Sequence, residues 1–233
     1  MKHQYFGDIN DYRKYGLLRA LQSCGDSKLL VTWMLTPDDG GRDGQRRSYL
    51  RAPDRWRQYD PALFDGLAGL VRSARRLDVS LIEESGLLHS ATYHRELVPD
   101  PGGARETWRK GLLAAAAGVD LVFFDPDNGV EIRSRPVGRR GSSKYVTWKE
   151  IEGVWAAGAS VLVYQHFRRQ TRKDFIIRGA SELREHTEAG LVHAYRTPYV
   201  LFLLAGQRRH EYQFREVARR VVRSWAGQIE PVL

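Results

Sequence analysis

Asp125-Pro126-Asp127-Asn128-Gly129, with Glu131 two positions further on, places three carboxylates and an amide within seven residues. The apolar residues ahead of it, Leu121, Val122, Phe123 and Phe124, read as a buried strand that delivers Asp125 to its carboxyl end, where Pro126 restricts the backbone. The carboxylate is thereby held in place. Two chemistries can use such a loop. Asp125, Asp127 and Glu131 offer hard oxygen ligands to magnesium, which proteins hold by one or two carboxylates together with substrate phosphates. With no metal, Asp125 instead accepts a hydrogen bond from an amino group about to be alkylated, with Asp127 and Asn128 beside it. A purely structural use, an Asx-turn with Gly129 in the left-handed region, fits the same residues.

Other candidates are spread along the chain. Thr36-Pro37-Asp38-Asp39-Gly40-Gly41-Arg42-Asp43-Gly44 follows the first apolar run. Gly40 and its neighbours let backbone N–H groups approach a ligand, and Asp38 or Asp39 at a strand end can hold a ribose or an ammonium group, although the spacing departs from the dinucleotide fingerprint. Glu83 closes a further apolar segment. His166, in Tyr164-Gln165-His166-Phe167-Arg168-Arg169, can serve as base or phosphate ligand. Lys144 stands in a polar loop able to close over a site. The single cysteine, Cys24, excludes an internal disulfide and a cysteine-based zinc cluster, and reads as a helix-end residue.

These residues need elements to position them, and the hydrophobic pattern supplies an alternation. Helices are expected over 11–23, 61–75, 105–117, 148–157, 171–186 and 210–225, and strands over 29–35, 79–83, 119–124, 160–165, 191–195 and 199–205. Near-continuous apolar strands alternating with helices indicate a parallel sheet covered on both faces. Only Arg196, Thr197 and Pro198 separate the last two strands, so these must pair antiparallel, because a parallel crossover takes a dozen residues or more. The expected class is α/β, a doubly wound, mostly parallel sheet ending in an antiparallel hairpin, the arrangement of Rossmann-like methyltransferases. Ligands of such sheets bind at the carboxyl ends of the strands, near the topological switch point. The loops after Leu35, Glu83, Phe124 and Gln165 should therefore surround one crevice.

At 233 residues the chain fits one α/β domain, and no linker or repeat divides it. Its 42% hydrophobic and 28% charged residues exclude disorder. Apolar runs are too short to cross a bilayer and the N-terminus is polar, so a cytoplasmic protein without membrane contact is expected. The net charge of +9 comes largely from arginine pairs, among them Arg46-Arg47, Arg139-Arg140, Arg168-Arg169 and Arg219-Arg220. Such a surface attracts polyanions, which makes RNA or DNA the natural partner, although an arginine-rich proteome gives the same composition. Lys144, Arg168, Arg169 and Arg172 are the expected phosphate contacts.

The segment Phe6-Gly7-Asp8-Ile9-Asn10-Asp11-Tyr12-Arg13-Lys14-Tyr15 resembles the opening of bacterial adenine amino-methyltransferases that modify large-subunit ribosomal RNA. Gly7, Asp8, Asp11 and Lys14 match that family's pattern, with Tyr15 in place of its histidine, and the order of later features matches through most of the chain. The family's Asp-Pro-Pro-Tyr, whose ring stacks on the flipped adenine, is Asp125-Pro126-Asp127-Asn128 here. The resemblance implies S-adenosylmethionine as cofactor, with Lys14, Asp38, Asp39, Gly40 and Glu83 beside it and Asp125 orienting the acceptor. The alternatives are a magnesium-dependent phosphodiesterase or nuclease with His166 as base, and a non-catalytic nucleic-acid-binding protein working through the basic helix that begins near Arg168.

Overall fold

The computed structural model describes residues 1–23, 27–41 and 44–233. Cys24, expected at a helix end, and Arg42 and Asp43 of the glycine-rich loop lie outside the described residues. In chain order the elements are α1 (Ile9–Gln22), β1 (Leu29–Thr32), α2 (Pro53–Trp56), α3 (Pro61–Ser73), α4 (Ser80–Glu84), β2 (Ala91–His94), α5 (Gly102–Ala115), β3 (Leu121–Phe124), β4 (Gly129–Val130), β5 (Tyr145–Val146), α6 (Trp148–Ala156), β6 (Ser160–His166), α7 (Arg172–Thr187), β7 (Leu191–Arg196), β8 (Val200–Gly206), α8 (Glu211–Ser224) and β9 (Glu230–Pro231).

A seven-stranded sheet runs in the order β2-β1-β3-β6-β8-β7-β9, and β4 and β5 form a separate parallel pair. Strands β2, β1, β3 and β6 are mutually parallel, whereas β8 lies antiparallel between β6 and β7. The hairpin expected at the end of the chain is present, with the short β9 added antiparallel to β7. Successive side chains of a strand point to opposite faces. Accordingly Leu29, Val31, Leu121 and Phe123 pack with α1, α3 and α8, while Leu30, Val122 and Phe124 pack with α5, α6 and α7. The sheet is thus buried on both sides, and its central strands β1 and β3 expose no residue. No helix among the described residues is long and apolar enough to cross a membrane.

Two expectations fail, each for a local reason. Residues 79–83 are helical, not extended. Asp78 Oδ1 accepts from the Ser80 N–H at 2.8 Å, and the buried pair Val79 and Ile82 has the three-residue spacing of a helix face. The second strand is instead β2, whose polar Ala-Thr-Tyr-His sequence suits a sheet edge. The first strand also stops early, at Thr32, because Met34 takes a positive φ of 47° and turns the chain; only an isolated bridge between Leu35 and Leu97 follows.

Candidate active site

Strand order reverses between β1 and β3. From β1 the chain passes outward to β2 and then returns to the opposite side of β1, so the crevice between the carboxyl ends of β1 and β3 is the switch point. A cavity of about 640 Å³ opens there, within the range of small-molecule sites. Asp125, Pro126, Asp127 and Asn128 form one wall, Tyr164 and His166 at the end of β6 another, and Asp8, Asn10, Asp11 and Lys14 from α1 a third.

The first turn of α1 is built to enter the crevice. Asp8 caps the helix by accepting from the Asn10 N–H at 2.9 Å, and its other oxygen accepts from the Arg46 N–H at 2.8 Å, which pins the loop before α2. Asp11 and Lys14, one turn apart, then face the same way. Lys14 Nζ donates to Asp11 Oδ1 at 2.8 Å and to Asp125 Oδ2 at 2.6 Å, and sits 5.4 Å from the centre of the Tyr164 ring. Lys14, Asp11 and Asp125 are all at most 2% exposed. Burial alone would lower the lysine pKa, yet the two carboxylates outweigh it and hold the ammonium charged well above its ordinary range. Asp11 responds in the opposite sense. Burial, reinforced by the Asp125 and Asp8 charges, pushes its carboxyl up to about 6 in spite of Lys14.

Asp127 lies at the mouth of β1. Its Oδ2 accepts from Thr36 Oγ1 at 2.6 Å and its Oδ1 is 2.7 Å from the Met1 amino group, which also donates to the carbonyls of Asp125 and Met34. Burial would raise the Asp127 pKa, but the ammonium charge and these hydrogen bonds hold it below the usual value. His166 is exposed at the border of the cavity, and partial desolvation there outweighs the nearby carboxylates and lowers its pKa.

The loop 125–129 is gripped from below. The Gln165 amide donates to the Asn128 carbonyl at 3.1 Å and accepts from the Val130 N–H at 2.8 Å. A Cβ on residue 129 would fall 2.3 Å from that amide, and φ there is +113°, so glycine is required on both counts. The Asn128 N–H is bonded to the Lys144 carbonyl at 2.9 Å, which ties the polar loop bearing Lys144 to the site wall.

The other expected residues lie elsewhere. Asp38, Asp39 and Gly40 are exposed outside the cavity, where Asp38 accepts from the Gln4 N–H and Asp39 pairs with Lys2. Glu83, carried by α4 and not by a strand end, accepts from Trp33 Nε1 at 2.6 Å and pairs with Arg95 at 3.0 Å. Glu131 accepts from the Trp148 N–H and lines a different cavity together with Arg168. Arg169 is exposed, and Arg172 donates to the Pro198 carbonyl. Of the three carboxylates proposed for magnesium, Glu131 is therefore parted from Asp125 and Asp127, and among the described residues no group of three His, Cys, Asp or Glu side chains is placed to hold a metal ion.

Residue-by-residue reading overlooked Asn10, Tyr164 and Arg46, and reached Asp8 and Asp11 only through the resemblance. A signal was present. Polar residues recur at positions 8, 11 and 14, in a half-helix where the leucine stripe has not yet begun, and a buried polar stripe must face partners. Comparison with known proteins returned no match, either to a family model or to a curated sequence.

Proposed function

We propose that the chain is a methyltransferase-like enzyme that uses S-adenosylmethionine and acts on a base amino group in RNA or DNA. The carrying observation is topological: Asp125-Pro126 closes β3 at the switch point of a sheet in which the reversed β8 is wedged between β6 and β7, the arrangement of Rossmann-like methyltransferases.

The donor set suits such a cofactor. Asn10, 9% exposed, lines the cavity with a buried Oδ1 that has no hydrogen-bond partner among the described residues, an acceptor left for an amino or hydroxyl group of a ligand. Asn10, Asp8 and Asp127 are the residues that would hold the cofactor, which when bound supplies an electrophilic methyl group. Asp125 would serve the acceptor. Lys14 occupies Oδ2, and no hydrogen bond to Oδ1 forms among the described residues, so Oδ1 can accept an N–H of the target amino group and keep its lone pair directed at the methyl donor. His166, which lines the same cavity, would take up the released proton. The magnesium reading is less well served, because Glu131 lines a different cavity from Asp125 and Asp127.

Calorimetric titration tests the reading. S-adenosylmethionine or its demethylated product should bind and raise the melting temperature, whereas magnesium should do neither. Asp125→Asn should cut turnover of an oligonucleotide by about 100-fold or more while cofactor affinity stays within about threefold of wild type. No binding at millimolar cofactor would overturn it.

A further inference from the structure

Next to Lys14 on the same helix, Arg13 is as deeply buried, at 3% exposure, yet its charge goes unanswered. Among the described residues no carboxylate lies within 4.0 Å of its guanidinium. Its hydrogen bonds go to the neutral amide oxygen of Gln228, at 2.6 and 3.3 Å, and its Nη1 is buried with no partner. Burial lowers its pKa to about 10, the Arg46 charge contributing in the same direction. Charged side chains are almost never buried without a counter-charge, because desolvation costs several kcal/mol per ion. The missing component is an anion.

Arg13 lines a groove of about 560 Å³ with Arg46, Arg55, Trp56 and Tyr199. Cations and rings interleave there. The Arg46 guanidinium lies 4.0 Å from the Tyr199 ring centre, Arg13 lies 5.5 Å from Tyr199 and 5.7 Å from Trp56, and Arg55 lies 5.3 Å from Trp56. Among the described residues the one carboxylate within 4.0 Å of these arginines is Asp8, whose Oδ2 is 3.9 Å from Arg46 Nε. Tyr199 is 45% exposed. Arg46 also lines the cavity of Asp125, so groove and cavity adjoin, and Pro198 and Gln228 carry the groove onward to Arg172.

We propose that this groove binds a single-stranded nucleic acid, its phosphates on Arg13, Arg46 and Arg55 and an unpaired base on Tyr199, and leads the strand to the cavity. Exposed aromatic rings interleaved with arginines are how proteins hold single strands, since a stacking platform needs an unpaired base. A base delivered into a cavity must likewise leave its stack. The identification of this strand as the substrate rests on the methyltransferase reading. The groove itself does not.

Fluorescence anisotropy with a labelled single-stranded oligonucleotide, read on wild type and on variants whose melting temperatures are recorded, tests the assignment. Tyr199→Ala should weaken binding roughly 5- to 100-fold, the range of one lost stacking contact. Arg55→Ala should lower the slope of log affinity against log salt by about one, and Arg13→Gln should weaken binding while leaving the fold intact. Replacing Arg168 and Arg169 together should change little. Unaltered affinity in both Tyr199→Ala and Arg55→Ala overturns the proposal. So does a duplex of the same sequence, adenosine monophosphate or inorganic phosphate binding as tightly as the strand, since each would make the groove a site for something else. Titration with S-adenosylmethionine beside these measurements separates the two readings: groove-dependent strand binding without cofactor binding overturns the function proposed above and leaves the groove standing.

Discussion

Two buried ionic clusters lie on opposite faces of the sheet, and they are built on different principles. Behind α5 and α6, Arg105 meets Glu150 through two hydrogen bonds of 2.5 and 2.8 Å, one cation against one anion. Glu150 also accepts from the Thr147 N–H within the capping box that starts α6, and Arg105 donates to the Tyr145 carbonyl, so the pair fastens α5, β5 and α6 together. At the switch point, Lys14 faces both Asp11 and Asp125, and Asp8 and Asp127 border the same cavity. A structural pair balances its charges. The candidate site keeps a surplus of carboxylate, which is the condition of a site prepared for a ligand.

The sharpest way to break this comparison is Lys14→Met. It strands two buried carboxylates where Arg105→Met strands one, so its cost should exceed the roughly 3–5 kcal/mol expected for breaking a buried pair. Acidification should restore part of the loss as the carboxylates take up protons, and denaturant unfolding at pH 7 and pH 5 would show it. Equal costs for the two variants would mean that the surplus charge has no energetic meaning.

Next in size is Arg105→Met itself, at about 3–5 kcal/mol, against the double variant Arg105→Met/Glu150→Leu, which should return near wild-type stability or exceed it, because an apolar pair avoids the desolvation cost. Urea unfolding of the three proteins completes the cycle. Failure of the double variant to recover would show that the Thr147 and Tyr145 hydrogen bonds, and not the charge pair, hold α5 to α6.

The smallest effect concerns Asp11→Asn. Burial raises the folded-state pKa of Asp11 from 3.8 to about 6, so between those values the native state binds more protons than the unfolded one, and stability from this group falls as pH rises from about 4 to 6. Asn removes the ionisation and keeps one acceptor for the Gly7 N–H, while its NH2 then faces Lys14, a cost that does not vary with pH across this window. The variant should gain stability relative to wild type across that window and hold the gain at pH 7. Asp127, held below its usual pKa, contributes with the opposite sign, its stabilisation being lost on acidification, and should be unaffected. Parallel stability curves for wild type and Asp11→Asn would refute the assignment.

Most of the sheet was legible because its strands are apolar runs bounded by helices of clear period. The exceptions are informative. Residues 79–83 read as a strand because so short a segment fits either period, and the Asp78 side chain, by taking up the Ser80 N–H, turns the chain into a helix. Glu83 thereby left the list of crevice residues, and β2 escaped notice because an edge strand need not be apolar. In the candidate site, Asp125, Asp127, Asn128 and His166 do line one cavity with Lys14, while Asp38, Asp39 and Gly40 fall outside it.

Local chemistry therefore determined that Asp125 would stand at a strand end and that the last two strands would pair antiparallel, since each follows from neighbours within a few positions. Tertiary structure alone decided that Lys14 would meet Asp125 across 111 residues, that Arg13 beside it would meet no carboxylate among the described residues, and that Arg46 would join the cavity to a basic groove. Those outcomes depend on strand order and on how α1 is laid against the sheet. No periodicity within a single segment encodes either.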